Sequence, residues 1–144
     1  CMLRGTEPLL QLPKVALISR FRIEGHDAPL AVANLHAINF TFGLAEYEAQ
    51  LDAVVAELAA HGGPIIVAGD FNTWSDGRYR TMQAAMQRLG LDAVLPGEDS
   101  RTRVFGRQID HVFVRGFEVV QAGSPQVQSS DHNPLLATLR LTPR

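Results

Sequence analysis

The sequence predicts a layered α/β fold, and three observations support this prediction. The runs 15–21 and 30–35 are apolar and partly alternating, as strands are, and a turn-forming stretch separates them. Over 44–61 the apolar residues recur every three or four positions, which is typical of an amphipathic helix. The continuous apolar run 64–68 then indicates a strand covered on both faces. A strand, a helix and a further strand in succession predict parallel pairing within a sheet on which helices pack.

The first part of the chain is expected to contribute a hairpin. Residues 1–13 carry turn formers and no stable period, so no element is predicted there. The strands at 15–21 and 30–35 are close enough in sequence to pair with each other. The second strand delivers His36 at its C-terminal end, which places this side chain at the edge of the sheet.

The second half of the chain is predicted to hold another helix and further strands. Ser75 is expected to cap the helix, because apolar residues spaced by three and four follow it until Gly90. Strands separated by Gly, Pro, Asn and Ser turns are predicted at 102–105, 109–114, 117–122 and 135–141.

Composition limits the class of protein. With 144 residues, 46% of them hydrophobic, the chain is expected to form one domain, 1–144. The formal net charge of -2 gives no large positive field of the kind that drives binding to long nucleic acids. Cys1 is the only cysteine, so an internal disulfide is excluded and a reducing, cytoplasmic location is expected. No apolar run approaches the ~20 residues of a membrane span.

Four arginines could still form a local positive patch. They fall close together in sequence, yet arginines in turns and on edge strands are more often solvated, and we favour that interpretation. The four are Arg101, Arg103, Arg107 and Arg115.

The first candidate site motif is 69–72, which reads Gly-Asp-Phe-Asn and follows the buried strand at 64–68. Ligand sites in α/β sheets favour such strand ends, and Gly permits close backbone approach. An Asx turn, in which Asp70 and Asn72 bond only to nearby backbone, explains the motif equally well.

The preceding strand supplies the second candidate. His36 ends that strand and is expected near Asp70 if the two strands are neighbours. Asn39 adds a neutral donor to the same loop, although an Asn in a turn is more often explained by its backbone tolerance.

The third candidate is Asp110, which begins an otherwise apolar strand. A partly buried carboxylate needs a partner, either a backbone turn or a histidine that it orients. His111 points to the opposite face by strand alternation and is interpreted as structural.

The fourth candidate lies just before the final strand, where Asp131 and His132 are adjacent within the sequence Ser-Ser-Asp-His-Asn-Pro. A polar turn is the simple explanation. Ser130 as a nucleophile with His132 as its base is a poor alternative, because no Gly-x-Ser-x-Gly elbow is present and neighbouring side chains diverge. The recurrence of Asp, Asn and His at strand ends suits metal-assisted hydrolysis of a phosphate ester instead.

The ordered motifs Asn-Leu-His, Gly-Asp-Phe-Asn, Ile-Asp-His-Val-Phe-Val and Ser-Asp-His-Asn-Pro resemble those of the endonuclease/exonuclease/phosphatase superfamily. The resemblance runs from about Val15 to the C-terminus and is closest to an uncharacterised bacterial branch. It implies a deoxyribonuclease I-like four-layer α/β/β/α sandwich and a Mg2+- or Mn2+-dependent phosphoesterase. The substrate would be a phosphodiester or a phosphomonoester, with nucleic acid as one candidate.

The resemblance also implies a role for each matched residue. Asp70 would orient or deprotonate the attacking water and contribute to the metal site with Asp131, while Asn72 holds Asp70 and the phosphate. Three of the other four roles concern the phosphate itself, and the fourth concerns His132. His36 would contact it or assist the leaving group, Asn39 would contact it, His132 would donate to a non-bridging oxygen, and Asp110 would fix the tautomer of His132.

One departure from the family pattern affects both folding and activity. The family begins with a strand carrying an Asn and continues to a strand ending in the principal metal-binding Glu, and Glu7 lies in no matching motif. We therefore expect a C-terminal portion of the domain that lacks its N-terminal strands. The partner is expected to be the missing N-terminal segment or a second copy in a swapped dimer. The alternative function is a non-catalytic phosphate- or partner-binding domain.

Overall fold

The computed structural model describes residues 1–6, 13–39, 41 and 43–143. Its strands and helices alternate through the first half of the chain, and strands dominate the second half. The elements in chain order are β1 (Met2–Thr6), β2 (Pro13–Phe21), β3 (Leu30–His36), α1 (Ala45–Leu58), β4 (Ile65–Asp70), α2 (Asp76–Arg88), β5 (Asp92–Ala93), β6 (Glu98–Asp99), β7 (Arg103–Val104), β8 (Arg107–Gln108), β9 (Asp110–Arg115), β10 (Phe117–Ser124) and β11 (Leu136–Leu141).

The main sheet of the described residues has six strands in the order β1-β2-β3-β4-β9-β5. The predicted hairpin is confirmed, because β2 pairs antiparallel with β3 from Phe21 opposite Leu30 onwards. The predicted parallel pairing is confirmed as well, since β3 and β4 run in the same direction with α1 between them. Strand β9 then pairs antiparallel with β4, although it lies far away in sequence.

Both helices cover one face of this sheet. Tyr47, Leu51 and Val54 of α1 are fully buried, and Met82 and Met86 of α2 join them in the same core. The predicted cap of α2 is confirmed, because the Ser75 side chain accepts a hydrogen bond from the backbone N–H of Arg78. Helix α1 ends before the predicted 61, ahead of the Gly62-Gly63-Pro64 sequence that cannot continue it.

The opposite face of the sheet is only partly covered. Strand alternation places Leu17 and Phe21 there, and these side chains are 43% and 52% exposed. The remaining described strands form a three-stranded sheet in the order β11-β10-β6 and the two-stranded hairpin β7-β8. Val120 and Leu136 of the three-stranded sheet are also about half exposed.

The prediction that no element precedes Pro13 is wrong for Met2–Thr6. These residues form β1, which pairs antiparallel with β2 at the edge of the sheet. An edge strand needs a partner on one side only, and Leu3 is its one side chain packed against the core. Its sequence therefore carries no clear alternation. Glu7 lies outside the described residues.

The solvated interpretation of the arginines is wrong for two of them. Arg101 is buried and donates to both carboxylate oxygens of Asp99, at 2.8 and 2.7 Å. Arg115 donates to the backbone carbonyls of Leu89 and Gly63. Arg101 also donates to the carbonyl of Asp110, so both guanidinium groups fix the backbone. No helix of the described residues is long and apolar enough to span a membrane.

Candidate active site

Three neighbouring strands of the main sheet bring their candidate residues into one row. In the register of β3 and β4, His36 lies opposite Asp70. In the register of β4 and β9, Asp70 lies opposite Asp110. The sheet itself therefore positions these three residues side by side.

The turn after β4 aims the two oxygens of Asp70 in different directions. Asp70 Oδ1 accepts a hydrogen bond from the backbone N–H of Asn72 at 2.8 Å, as an Asx turn requires. Oδ2 lies 3.5 Å from Nε2 of His36. The Asx-turn explanation is therefore correct for one oxygen, while the second oxygen faces the row of candidate residues.

Asn72 ties this turn to the neighbouring loop. Its side-chain amide donates to the carbonyl of Ala37 at 2.8 Å, and its backbone has a φ of 48°. Gly69 is also required, because its φ is +145° and a Cβ there would lie only 1.9 Å from the carbonyl oxygen of Leu35. The Gly-Asp-Phe-Asn sequence thus encodes a backbone shape that holds Asp70 in place.

The final loop contributes His132. Its Nδ1 lies 2.8 Å from Asp110 Oδ2, as the resemblance implies. Burial raises the pKa of the Asp110 carboxyl, and the hydrogen bond from His132 offsets only part of this rise. Burial alone would lower the pKa of the His132 imidazole. The hydrogen bond and the charge of Asp110 outweigh this effect, so the pKa is raised. The pair therefore presents the opposite ring nitrogen, Nε2, to the site.

A compact hydrogen-bond network holds the final loop, and the sequence did not reveal it. Asn133 N donates to Thr102 Oγ1 at 3.0 Å, and the Thr102 hydroxyl donates to the carbonyl of Asp131. The Asn133 side chain also bonds the carbonyl of Ser100 and the backbone N–H of Val127. Asn133 follows His132 directly in the sequence, and this adjacency is the one sequence feature that indicates its place in the site.

Three of the described side chains could share one metal ion. Ligand atoms of Asp70, Asp110 and His132 all lie within 4.8 Å of one another. Carboxylate oxygens are the ligands that Mg2+ prefers, and the charge of Asp70 raises the pKa of Asp110, so the two carboxylates repel each other. A divalent cation would relieve this repulsion, and the donor set fits one. Asp131 is exposed and does not belong to this group, so its predicted metal role stays a prediction.

His36 lies at the open end of the row. Its side chain is 53% exposed, and Nε2 is 2.9 Å from the ammonium nitrogen of Lys14 on β2. Lys14 could not be recognised from the sequence as a site residue, because only the antiparallel register of β2 and β3 brings it beside His36. The two side chains give this end of the site cationic and hydrogen-bonding capacity for an anion.

Asn39 is tied to Trp74 instead of pointing freely into the site. Its Oδ1 accepts a hydrogen bond from the indole N–H of Trp74 at 2.8 Å. The guanidinium of Arg78 lies 4.8 Å from the Trp74 ring and donates to the carbonyl of Ile38. Arg78 is 1% exposed, and no motif marks it in the sequence. It joins the loops that follow β3 and β4.

His111 behaves as the structural residue that strand alternation predicts. It packs against the rings of Phe71 and Phe113, and its Nε2 is 2.8 Å from the hydroxyl of Thr73. Burial lowers the pKa of His111 to about 4, so the ring is neutral at pH 7.

The described fold and site define a mixed α/β protein with an Asp-His cluster at strand ends, and the comparisons name its family. The model of the Endonuclease/Exonuclease/phosphatase family matches residues 9–132, so the chain belongs to this family. A UPF0294 protein of Vibrio campbellii is 45% identical over 142 residues, which are 98% of this chain and 50% of the relative. The chain thus spans about half the length of the curated relatives it matches.

Solved structures of the family share the fold. An endonuclease/exonuclease/phosphatase of Bacteroides vulgatus superposes with a TM-score of 0.72 at 19% identity, covering 98% of this chain and 64% of that one. A mannosyl-6-phosphatase of Bacteroides thetaiotaomicron superposes with a TM-score of 0.63 at 22% identity, covering 90% and 58%. The resemblance and the mixed α/β class predicted from the sequence are confirmed.

Proposed function

We propose that the protein is a divalent-metal-dependent phosphoesterase that hydrolyses a phosphate ester by direct attack of water. The observation that carries this proposal is the convergence of Asp70, Asp110 and His132 within 4.8 Å at the ends of adjacent strands. No covalent intermediate is required, since water serves as the nucleophile and the cluster contains no activated Ser or Cys. Membership of a family of hydrolases supports the same reaction class.

The metal site comprises Asp70 and Asp110, with His132 beside them. Mg2+ or Mn2+ there would neutralise charge on the non-bridging phosphate oxygens. Asp131 remains a proposed further ligand, and it requires its exposed side chain to turn towards the cluster. Even with Asp131, these carboxylates are fewer than the six ligands that Mg2+ takes, so water and substrate oxygens would complete the coordination.

The remaining side chains act either on the attacking water or on the phosphate. Asp70 orients the attacking water and accepts its proton, while the Asn72 backbone N–H fixes the Asp70 carboxylate. His132 donates from Nε2 to a non-bridging oxygen, because Nδ1 is engaged with Asp110. His36 assists the leaving group at the open end of the row.

Two substrate subclasses remain open at this level. Phosphodiester hydrolysis, as in nucleases, and phosphomonoester hydrolysis use the same cluster. The structural neighbour from Bacteroides thetaiotaomicron is a mannosyl-6-phosphatase, which shows that this fold accommodates a phosphomonoesterase. Asn39 and Asn72 serve as phosphate contacts in either case, and Asn39 would donate from Nδ2 while its Oδ1 keeps the hydrogen bond from Trp74.

The partly covered sheet face belongs to the same proposal. Leu17 and Phe21 are apolar and about half exposed on it, and the curated relatives are about twice as long as this chain. An upstream segment of the longer protein covers this face, with a second copy in a swapped dimer as the alternative. Light scattering separates them, since a swapped dimer would stay dimeric when the upstream segment is supplied, whereas a chain completed by that segment would form a one-to-one complex with it.

Hydrolysis of bis-p-nitrophenyl phosphate and p-nitrophenyl phosphate tests the proposal. Turnover should require Mg2+ or Mn2+, stop with EDTA and fall below detection in Asp70→Asn. Asp27→Asn, which alters an exposed carboxylate in the β2–β3 turn, is the matched control and should stay active. Turnover in EDTA would contradict the proposal. Absence of turnover, both alone and with the upstream segment, would favour the non-catalytic phosphate-binding domain.

A further inference from the structure

The hairpin β7-β8 holds a phenylalanine in an unusual position. Its two turn residues, Phe105 and Gly106, have φ of 50° and 80°. Hairpin turns with two positive φ angles normally carry Asn, Asp or Gly, because a large side chain is disfavoured in the left-handed region. Phe105 nevertheless occupies the first position, and its side chain is 85% exposed. Neither backbone preference nor core packing explains an aromatic ring there.

The hairpin is fixed to the candidate active site at both ends. Thr102, which precedes it, bonds the loop that carries His132. The carbonyl of Gln108, its last residue, accepts a hydrogen bond from the hydroxyl of Thr73 at 2.7 Å. The hairpin therefore bridges the His132 loop and the turn that follows Asp70.

At the tip, Phe105 meets Trp74. Their ring centroids are 6.1 Å apart and the planes are inclined by 73°, an edge-to-face contact that leaves an aromatic corner. Trp74 is held by Asn39 at its N–H and by Arg78 over its ring. The corner is thus partly pre-formed, on loops shared with the site residues.

We propose that Phe105 and Trp74 stack against a nucleobase next to the scissile phosphate, so that the substrate is a nucleotide or single-stranded nucleic acid. This inference rests on the proposed phosphoesterase function. Base stacking on aromatic side chains tolerates different bases, and it suits an exposed ring beside a phosphate site. Arg103 is exposed on the same hairpin and donates from Nη1 to the carbonyl of Gly106, so its other N–H groups are the ones that would contact a flanking phosphate.

A lipid substrate fits this tip less well. A hairpin that enters a membrane presents several apolar side chains, whereas Phe105 stands between two arginines, Arg103 and Arg107, within five residues that read Arg-Val-Phe-Gly-Arg. Arg107 is paired with Asp76 and lies near the ring of Tyr79. Because the charge of Arg107 is balanced by Asp76, Arg103 is the cation beside the ring that matches a base attached to a phosphate backbone.

Calorimetric titration with AMP and with ribose 5-phosphate, in the presence of Ca2+, tests the inference. AMP should bind at least ten-fold more tightly and quench the fluorescence of Trp74, the only tryptophan of the chain. Phe105→Asn suits the left-handed position and preserves the hairpin. It should reduce the preference for AMP to below three-fold and leave ribose 5-phosphate binding unchanged.

Leu95→Ala is the matched control, because Leu95 is an apolar side chain that is 74% exposed outside this corner. It should retain the preference for AMP. Equal binding of the two ligands by the unsubstituted chain, or an unchanged preference in Phe105→Asn, would overturn the inference. So would binding to phosphatidylcholine vesicles that Phe105→Asn abolishes. Metal-dependent hydrolysis of bis-p-nitrophenyl phosphate is measured in parallel, so that failure of the proposed function is recognised separately.

Discussion

Asp70 and Asp110 lie directly opposite each other on the neighbouring antiparallel strands β4 and β9. Backbone hydrogen bonds between the strands fix this relationship, and it keeps two carboxylates close together although they are far apart in the chain. Ordinary packing does not favour such a pair, because like charges in a partly buried site oppose each other. The arrangement is explained by a function that needs both carboxylates, and each can be tested separately.

Asp110→Asn should reduce turnover of bis-p-nitrophenyl phosphate by about 10²-fold or more, because a carboxamide cannot hold His132 in the charged, oriented form. The variant keeps the size of the side chain, so the fold should persist, as circular dichroism would show. Asp92→Asn is the matched control, since Asp92 is exposed on β5, the strand that pairs with β9 on its other side. Equal activity of the two variants would refute the role of Asp110.

Gly69→Ala should destabilise the protein by about 3 kcal/mol or more, because the added Cβ would collide with the Leu35 carbonyl and the residue has a φ of +145°. Urea denaturation followed by circular dichroism measures the change. Gly62→Ala is the control, as a Cβ at that exposed position meets nothing within 4 Å and should shift stability by less than about 0.5 kcal/mol. A similarly small effect of Gly69→Ala would show that β3 and β4 can move apart enough to accommodate the added Cβ.

The sequence predicts the parts of this site that depend on backbone position. His36, Asp70 and Asp110 each lie at a strand end, and periodicity alone locates those ends to within a residue or two. The pairing of Asp110 with His132 follows from the family resemblance and is present in the structure. The residues on which the proposed chemistry depends can therefore be predicted from the sequence.

The remaining contacts depend on side chains that meet across loops, which periodicity does not report. Lys14 reaches His36 only through the register of β2 and β3. The sequence indicates that Arg78 is a polar residue on the exposed face of an amphipathic helix, whereas its guanidinium is buried in the structure. The sequence predicts that Phe105 belongs to a strand, and only its positive φ in the structure shows that it lies in a turn. Each miss arises from tertiary contacts that outweigh local preference.

Arg78→Met should destabilise the protein by about 2–4 kcal/mol, because the carbonyl of Ile38 and the hydroxyl of Thr41 would lose their buried donor. The emission maximum of Trp74 should also shift, since the guanidinium lies over its ring. Arg80→Met, two residues further along α2 and exposed, is the control and should change neither quantity. Retention of both stability and emission in Arg78→Met would show that the loops hold each other without the guanidinium.

Asp99 should make a pH-dependent contribution to stability. Its hydrogen bonds from Arg101, aided by Gln108, lower the pKa of the carboxyl to about 2 from an ordinary value of 3.8. Because the folded state holds the carboxylate in its charged form, the stabilisation is fully present above about pH 4 and is lost as the pH falls towards 2. The side chain is 25% exposed, so we expect about 1 kcal/mol, less than the full shift implies.

Asp99→Asn should therefore lower the free energy of unfolding at pH 7, where it leaves the buried Arg101 guanidinium without its carboxylate. The difference from the unsubstituted chain should shrink between pH 4 and pH 3, because the unfolded chain, in which the pKa of Asp99 is near its ordinary 3.8, then takes up a proton that the folded chain does not. Urea denaturation at pH 7, 4 and 3 measures this difference directly. A gap that stays constant across the three values would mean that Arg101 is held by packing and by the Asp110 carbonyl, to which it also donates, and not by the charge of Asp99.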